Sequence, residues 1–427
     1  MKKVLIITYY WPPSGGSGVQ RWVKLSKYLT RGGVECHVLT VDSKVASYMS
    51  QDLSLLEDID EKVKVYQTNS FEPINIYSKI VGSKNVPTAG FTNVDNSSLF
   101  QKVINFIRSN LFIPDPRIGW NKYAYKKAVE IIKKHKISTV ITTSPPHSTQ
   151  LIGRKLKRKL QIYWIADLRD PWTDIYYYPI LRHSKLSHLI NLRKEKSVIE
   201  EADKVVSVSE GCIEIFKNKT PKNDALKFEI IHNGFDLEDF QAIKKKRTDP
   251  YFRIVYTGLM SLLYSPEIFF KALETLPQEI KNKLEIHFVG QISEEILKRS
   301  KSSGVKTISI STVPHDEVLQ HQINADLLLL VIPEIKNDKG VVTGKIFEYI
   351  ATGNPILGIG PKDGDAGKIL KTNTNCKMFD REDIKPIQYF ILSQITNYNN
   401  LKPESNTHTG LNFSRKVQAE KYSKLIK

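Results

Sequence analysis

The feature that most constrains this chain is a pattern that runs once and then restarts. Val4–Thr8 is a short apolar β run, Trp11–Gly18 a Pro/Gly/Ser loop, Val19–Leu29 a helical pattern, Gly32-Gly33 a stop and Glu35–Thr40 a second strand. That order is β–loop–α–β, the opening of a doubly wound parallel sheet. Further strands are expected at Val63–Gln67, Thr139–Thr143, Gln161–Ala166 and Lys204–Val208, with helices near Leu99–Ser109, Tyr123–Lys134 and Thr149–Lys159. A charged, Pro-terminated stretch, Ala242–Pro250, reads as a linker. A strand then returns at Phe252–Tyr256, with a loop at Gly258, a helix at Pro266–Leu276 and strands at Glu285–Val289, Thr307–Ser309, Asp326–Val331 and Pro355–Ile359. The expected architecture is α/β, two Rossmann-like doubly wound domains facing a central cleft. Residues 1–240 form the first and 250–410 the second, and the Lys-rich helix at 411–427 packs back on the first. Ligands of such sheets bind at the carboxyl ends of the strands.

A chain of 427 residues exceeds one ordinary core. Its net charge of +18 calls for an acidic partner: nucleic acid, anionic lipid or a phosphorylated substrate. Cys36, Cys212 and Cys376 stand far apart without metal spacing, which argues against a disulfide framework and a structural zinc and suits a reducing cytoplasm. The apolar run after Met1 is too short for a signal peptide and reads as a strand. No window approaches the roughly 20 apolar residues of a spanning helix. A cytoplasmic protein follows, with membrane contact at most peripheral.

Gly344–Ile359, GKIFEYIATGNPILGI, reads as an amphipathic helix, a turn and a buried strand. Lys345 and Glu348 share one face near the helix N-terminus. Free backbone N–H groups and the macrodipole attract anions there, and Lys345 adds a full charge. Glu348 adds an acceptor suited to sugar or ribose hydroxyls. The pair reads equally as a solvated Lys–Glu couple or as a site for a diphosphate and a diol.

Several motifs stand in order along the chain: TYYWPPSGGSGVQRWVKLSKYL at the start, TSPPHSTQLIG at Thr143–Gly153, DLRDPW at Asp167–Trp172 and VVSVSEG at Val205–Gly211. IIHNGFD at Ile230–Asp236, YTGL at Tyr256–Leu259 and GKIFEYIATGNPIL follow. In this order they resemble a glycosyltransferase of the GT-B fold, in the large retaining family 4, over nearly the whole chain. The resemblance implies a nucleotide-sugar donor held by the second half through Gly258, Lys345 and Glu348. Backbone contacts to the base are placed near Thr312–His315, with Val313 among them. It implies an acceptor, a glycan or polyprenyl-linked saccharide, presented by the first half, and a role in surface polysaccharide biosynthesis. No cofactor or metal is implied, because enzymes of this fold stabilise the leaving diphosphate with helix dipoles and basic side chains.

Residue by residue, Gly15, Gly16 and Gly18 read as a tight turn or as a loop whose amides approach acceptor or diphosphate. His147 reads as a surface or helix-capping histidine or, by resemblance, as one that contacts the donor sugar or orders the site. Asp170 reads as one half of an Asp–Arg lock with Arg169 or as the acceptor-side carboxylate. Ser209, Glu210 and Asn233-Gly234 shape the crossover. Two departures from the family pattern stand out. Gly340 occupies the place of its first motif glutamate, which leaves Glu334, Asp338 or another loop residue to reach over or the donor-sugar contact to be lost, and the LMSLLYSP loop lacks its Arg and Lys, leaving Lys345 to carry the phosphate charge largely alone. Asp363-Gly364-Asp365 resembles a metal–diphosphate motif, but its context fits a turn and a helix cap.

Lys126, Lys127, Lys133, Lys134 and Lys136, and Arg154, Lys155, Lys157, Arg158 and Lys159, form two basic clusters. They read as solvated helix faces or as a surface for anionic lipid headgroups, with Trp11, Trp22, Phe112 and Trp120 as an apolar rim. The Tyr176–Ile180 run is an acceptor-loop candidate. Competing readings are a nucleotide-sugar 2-epimerase of the same architecture and a non-catalytic basic scaffold binding anionic lipid or nucleic acid. No nucleic-acid module is recognised, and aromatics do not interleave with the basic runs, so nucleic acid is not an expected partner.

Overall fold

Val4–Ile7 are apolar without alternation, and all four are fully buried in strand β1 (Lys3–Ile7). Such a run suits the inside of a parallel sheet, which is covered on both faces. In the computed structural model, which describes residues 1–48, 50–72, 106, 109–222, 224–241, 243–246, 249–400 and 410–427, β1 pairs in parallel with β2 (Glu35–Val41) and β4 (Thr139–Ser144). β3 (Lys64–Thr68), β5 (Tyr163–Leu168), β6 (Lys204–Ser207) and β7 (Phe228–Ile230) complete a sheet of order β3-β2-β1-β4-β5-β6-β7. The order reverses between β1 and β4, so the loops leaving these two strands diverge and open a crevice at the carboxyl edge.

The crossover helices run Ser17–Arg31, Asn121–His135, Ser148–Leu160, Lys185–Glu201 and Glu210–Lys219. Each is seated by specific contacts. In Ser148–Leu160, Gly153 leaves room for the Trp164 indole, into which any Cβ would run, and Trp164 Nε1 donates to Thr142 Oγ1 at 2.8 Å. The final helix, Arg415–Leu425, lies against Ser17–Arg31, with Ala419, Tyr422 and Ile426 in the same apolar cluster as Val19, Trp22 and Val23.

The second sheet is built the same way. β8 (Phe252–Thr257), β9 (Leu284–Val289), β10 (Lys306–Ile310), β11 (Leu327–Val331), β12 (Ile356–Ile359) and β13 (Cys376–Phe379) are parallel, in the order β10-β9-β8-β11-β12-β13. Its central strand β11, LLLLV, is wholly buried. The chain thus forms two compact α/β units: Met1–His232 with Arg415–Lys427, and Asn233–Ser414. The division falls ahead of the charged 242–250 stretch. The helix expected at Leu99–Ser109 lies outside the described residues except for Phe106 and Ser109. Among the described residues no helix is long and apolar enough to cross a membrane.

Candidate functional site

In the first unit a cavity of about 540 Å³ opens at the carboxyl edge of β1, β4 and β5. Its floor is the glycine loop, Gly15, Gly16 and Gly18, leading into the Ser17–Arg31 helix. Gly16 has φ of 110°, a conformation that glycine adopts without strain. Gly18 is needed for a different reason: the Arg169 guanidinium occupies the space where its Cβ would stand. Arg169 in turn donates from Nε (3.2 Å) and Nη2 (3.1 Å) to Asp170 Oδ2. Asp170 lines the cavity with a partly exposed carboxylate, so the lock and the lining role coincide in one residue.

His147 follows the two prolines after β4 and stands at the N-terminus of the Ser148–Leu160 helix, where it makes no side-chain cap. Its ring stacks on Trp172 with centroids 5.1 Å apart and planes 9° from parallel. It is buried, and neither ring nitrogen has a hydrogen-bond partner. Burial, reinforced by Lys219 and Arg169, lowers its pKa to about 3, so the ring is neutral at pH 7. A buried polar group without a partner costs stability unless a ligand or water reaches it. Two more lining residues carry a buried nitrogen without a partner: Arg117 at Nε and His183 at Nε2. The opposite wall is aromatic, from Tyr176, Tyr177 and Tyr178, with Tyr178 stacked on His183 at 4.2 Å. Polar groups converging among aromatic faces suit a polyhydroxylated ring.

The helix cap that His147 does not make comes from Asp115, which accepts from Ser148 N (2.7 Å), Ser148 Oγ (2.8 Å) and Arg117 N (3.0 Å). Beneath the site lies a buried network. Asp167 Oδ1 accepts from Tyr422 Oη (2.8 Å) and Arg21 Nη2 (3.3 Å), and Oδ2 from Thr143 Oγ1 (2.7 Å) and Trp22 Nε1 (3.0 Å). Asp167 belongs to the scaffold, inside β5. Asp167 was marked by the DLRDPW motif as a strand-end carboxylate and turns out to be buried scaffold; Asp115 and Tyr422 carried no sequence signal beyond residue type.

The second unit carries its own corner at the carboxyl end of β8. Gly258 has φ of 98°, and a Cβ there would stand 3.4 Å from Lys345 Nζ. Gly290 fits tightly behind it, since its own Cβ would lie 2.5 Å from the Gly258 carbonyl oxygen. Lys345 opens the Lys345–Thr352 helix and donates to Tyr256 Oη at 2.6 Å. Burial lowers its pKa to about 7, against a raising pull from Glu348. Glu348 accepts from Gln322 Nε2 at 3.0 Å and lies 3.1 Å from His315 Nε2. The structure thus brings Gly258, Lys345 and Glu348 together. Val313 is half-buried against the apolar cluster that holds Ile346 and Ile350, so its side chain serves packing.

Other expected residues are drawn elsewhere. Asp338 Oδ2 accepts from Arg381 Nη1 at 2.9 Å and Glu334 lies 3.9 Å from Arg381 Nε, so Arg381 holds both candidates for the place of the missing glutamate. Asp363 pairs with Lys339 at 2.6 Å, and Asp365 stands in the first turn of the Asp365–Leu370 helix behind Gly364, not at its cap. Of the basic clusters, Arg154 and Arg158 pair with Glu201 and Lys157 with Asp203, so three of the five cations on that helix are already matched by carboxylates. Trp11, Trp22 and Trp120 are core residues and form no rim. Glu35, His37 and His135 bring ligand atoms within 4.8 Å of one another, but Lys64 and Lys3 already hold Glu35, and Tyr66 bridges the two imidazoles.

No protein-family model and no curated protein matches the chain. Solved structures do. Sucrose-phosphate synthase from Thermosynechococcus elongatus superposes with a TM-score of 0.63 at 13% identity, covering 100% of this chain and 98% of that one. HepE of Anabaena, solved with UDP and glucose, gives 0.54 at 12% identity over 99% and 95%. A variant of TarM from S. aureus, solved with fondaparinux, alpha-GlcNAc-glycerol and UDP, gives 0.58 at 12% identity over 100% and 99%. The fold is GT-B. At these identities the likeness is one of architecture, two Rossmann-like parallel sheets in one chain.

Proposed function

We propose that this GT-B chain is a metal-independent glycosyltransferase. It moves a sugar from a nucleotide-sugar donor to a glycan or polyprenyl-linked saccharide, with retention, in surface polysaccharide synthesis on the cytoplasmic face of a membrane. The observation that carries this reading is the corner at Gly258, Lys345 and Glu348. A cation on a helix N-terminus, beside a glycine with room for a close approach, suits a diphosphate. A carboxylate one turn further along the same helix suits a ribose or sugar diol. HepE and TarM, which share the fold, were solved with UDP.

In this reading the anomeric carbon–phosphate oxygen bond breaks as charge develops on the diphosphate, which Lys345 and the helix N-terminus stabilise. The acceptor hydroxyl bonds to the same face of the sugar, and the departing phosphate oxygen takes its proton. Asp170 orients that hydroxyl. Neutral His147 hydrogen-bonds a saccharide hydroxyl and moves no proton.

The test is a melting series with UDP, GDP, dTDP, CMP and their sugars. A binder at a hundredfold excess over Kd stabilises by about 2.7 kcal/mol, which a melt detects. One nucleotide series is expected to stabilise the wild type, with a clear loss in Glu348→Ala. No stabilisation by any of them overturns the reading. Conversion of the nucleotide sugar without acceptor moves the assignment to a 2-epimerase.

A further inference from the structure

We propose that the face formed by the Lys185–Glu201 helix and the turn before it docks on an anionic lipid bilayer. The first three turns of the helix are inverted relative to an ordinary surface helix: Ser187, Asn191 and Glu195 are buried, while Leu186 and Leu189 are 68% and 50% exposed; only the last turn, with Val198 and Ile199, buries apolar side chains. At about 3.6 residues per turn, Lys185, Leu186, Leu189, Arg193 and Lys196 fall on one side. All five are exposed, and so is Glu200, the one acid on this side, a turn past Lys196 at the end away from the leucines. The turn adds Ile180 at 37% exposure and exposed Arg182. Asn110 ties a further segment to this turn, donating to Arg182 O and accepting from Ser184 N, and its neighbour Leu111 is 73% exposed.

Charge selects the occupant. No acidic residue stands between Asp174 and Glu195, and Glu195 faces inward to Lys219 and Thr173. Among the described residues Arg182, Lys185, Arg193 and Lys196 have no carboxylate partner. Aliphatic side chains ringed by unpaired cations match the interface of a bilayer with anionic headgroups, where apolar burial and electrostatic attraction add. The same face on a second copy of the chain would meet like charge, which disfavours self-association. The Asn121–His135 helix exposes Lys122, Lys126, Lys133 and Lys134 without exposed aliphatics, so it supplies attraction but no insertion.

Position gives the face a use. Tyr176, Tyr178, Leu181 and His183 line the cavity, and the chain runs directly from them onto Lys185–Leu189. A membrane held by this face would lie at the cavity's edge, suited to a saccharide whose lipid stays in the bilayer. This use rests on the lipid-linked acceptor of the proposed function; the docking itself does not.

The experiment is flotation of the full chain with vesicles of phosphatidylcholine alone and of an equal mixture with phosphatidylglycerol. Binding is expected only to the anionic vesicles. Leu186→Ser with Leu189→Ser is expected to weaken it by about tenfold or more, with the melting temperature unchanged. Arg193→Glu with Lys196→Glu, which leaves both leucines in place, is expected to weaken it by a similar factor. Lys126→Glu with Lys133→Glu on the other basic helix is expected to change it by less than about threefold. Wild-type binding to neutral vesicles alone, no vesicle binding, or full binding by both the leucine and the Arg193/Lys196 variants overturns the proposal. So does stronger loss in the Lys126/Lys133 variant, and so does displacement by an oligonucleotide with the leucine variant unaffected. Transfer to a soluble saccharide, measured without vesicles, reports on the transferase reading separately.

Discussion

Lys345 Nζ lies 3.8 Å from the centre of the Tyr256 ring while donating to the same residue's hydroxyl at 2.6 Å. The contact shelters the ammonium from water, and that burial is what lowers its pKa to about 7. A diphosphate arriving at Gly258 would restore the ordinary preference for the charged form. Binding therefore takes up a proton wherever the free lysine is partly neutral. Below about pH 7 the lysine is already charged and affinity is flat; above it, Kd rises by up to about tenfold per pH unit. Titration calorimetry from about pH 6.5 to pH 9 in buffers of different ionisation heat checks this. No proton uptake at the alkaline end rules it out.

Gly18 separates a structural role from a functional one. The residue lies in the first turn of a helix and has no need of positive φ, so alanine there gains up to about 1 kcal/mol of helix propensity. The added Cβ runs into the Arg169 guanidinium, the flexible end of a long side chain, which must swing away and release Asp170. Gly18→Ala is expected to melt at or slightly above the wild-type temperature. Transfer activity falls by about tenfold, mostly in the KM for acceptor, because acceptor orientation is lost. Equal loss of stability and activity would show that the glycine serves the turn alone.

The two sheets were legible in the sequence because inner parallel strands such as Val4–Ile7 and Leu327–Val331 are apolar runs bounded by turn residues, a signal that needs no tertiary context. That Lys345 and Glu348 are neighbours was legible because three positions separate them on one helix; Gly258 stands 87 positions away in its own strand-end motif, and its approach to Lys345 comes from the fold. The Lys185–Glu201 helix was not, because over its first three turns Leu186 and Leu189 point outward while Ser187, Asn191 and Glu195 point inward, and only Val198 and Ile199 in its last turn bury apolar side chains, so the periodicity that marks a surface helix is broken. The fates of Asp338, Arg154 and Arg158 were hidden for a related reason. Ion pairs with Arg381 and Glu201 join residues more than 40 positions apart, and spacing encodes nothing of them.

One hydroxyl of the last helix reaches into the buried network beneath the cavity. Tyr422 Oη donates to Asp167 Oδ1 at 2.8 Å inside a fully buried network that also includes Arg21. Tyr422→Phe keeps the ring against Trp22 and removes a hydrogen bond to a charged group, worth about 1.5–3 kcal/mol when buried. The melting temperature is expected to fall by several degrees, with the helix at Arg415–Leu425 losing amide-exchange protection first. A variant as stable as wild type would show that Arg21, Thr143 and Trp22 satisfy Asp167 without it.

His147 gives the sharpest contrast, because its burial without partners costs stability that only a ligand can return. His147→Phe preserves a flat ring against Trp172 and deletes both unpartnered nitrogens. Stability at neutral pH is expected to hold or rise, since replacing an unsatisfied buried polar group by an apolar one of similar shape is close to neutral or favourable. Transfer is expected to fall by about a hundredfold if a ring nitrogen bonds a saccharide hydroxyl in the transition state. Acid supplies a second, independent reading. The folded pKa is about 3, whereas the unfolded chain takes up the same proton near pH 6.5. Between these values the unfolded state binds more protons, so this contribution is complete above about pH 6.5 and is lost as pH falls, by up to about 1.4 kcal/mol per unit. Melts of wild type and His147→Phe should therefore converge toward neutral pH and diverge toward pH 4, the phenylalanine variant being the more acid-resistant. Parallel curves would place the histidine in contact with water or a neighbour that neutralises its burial, and remove the reason to assign it a ligand.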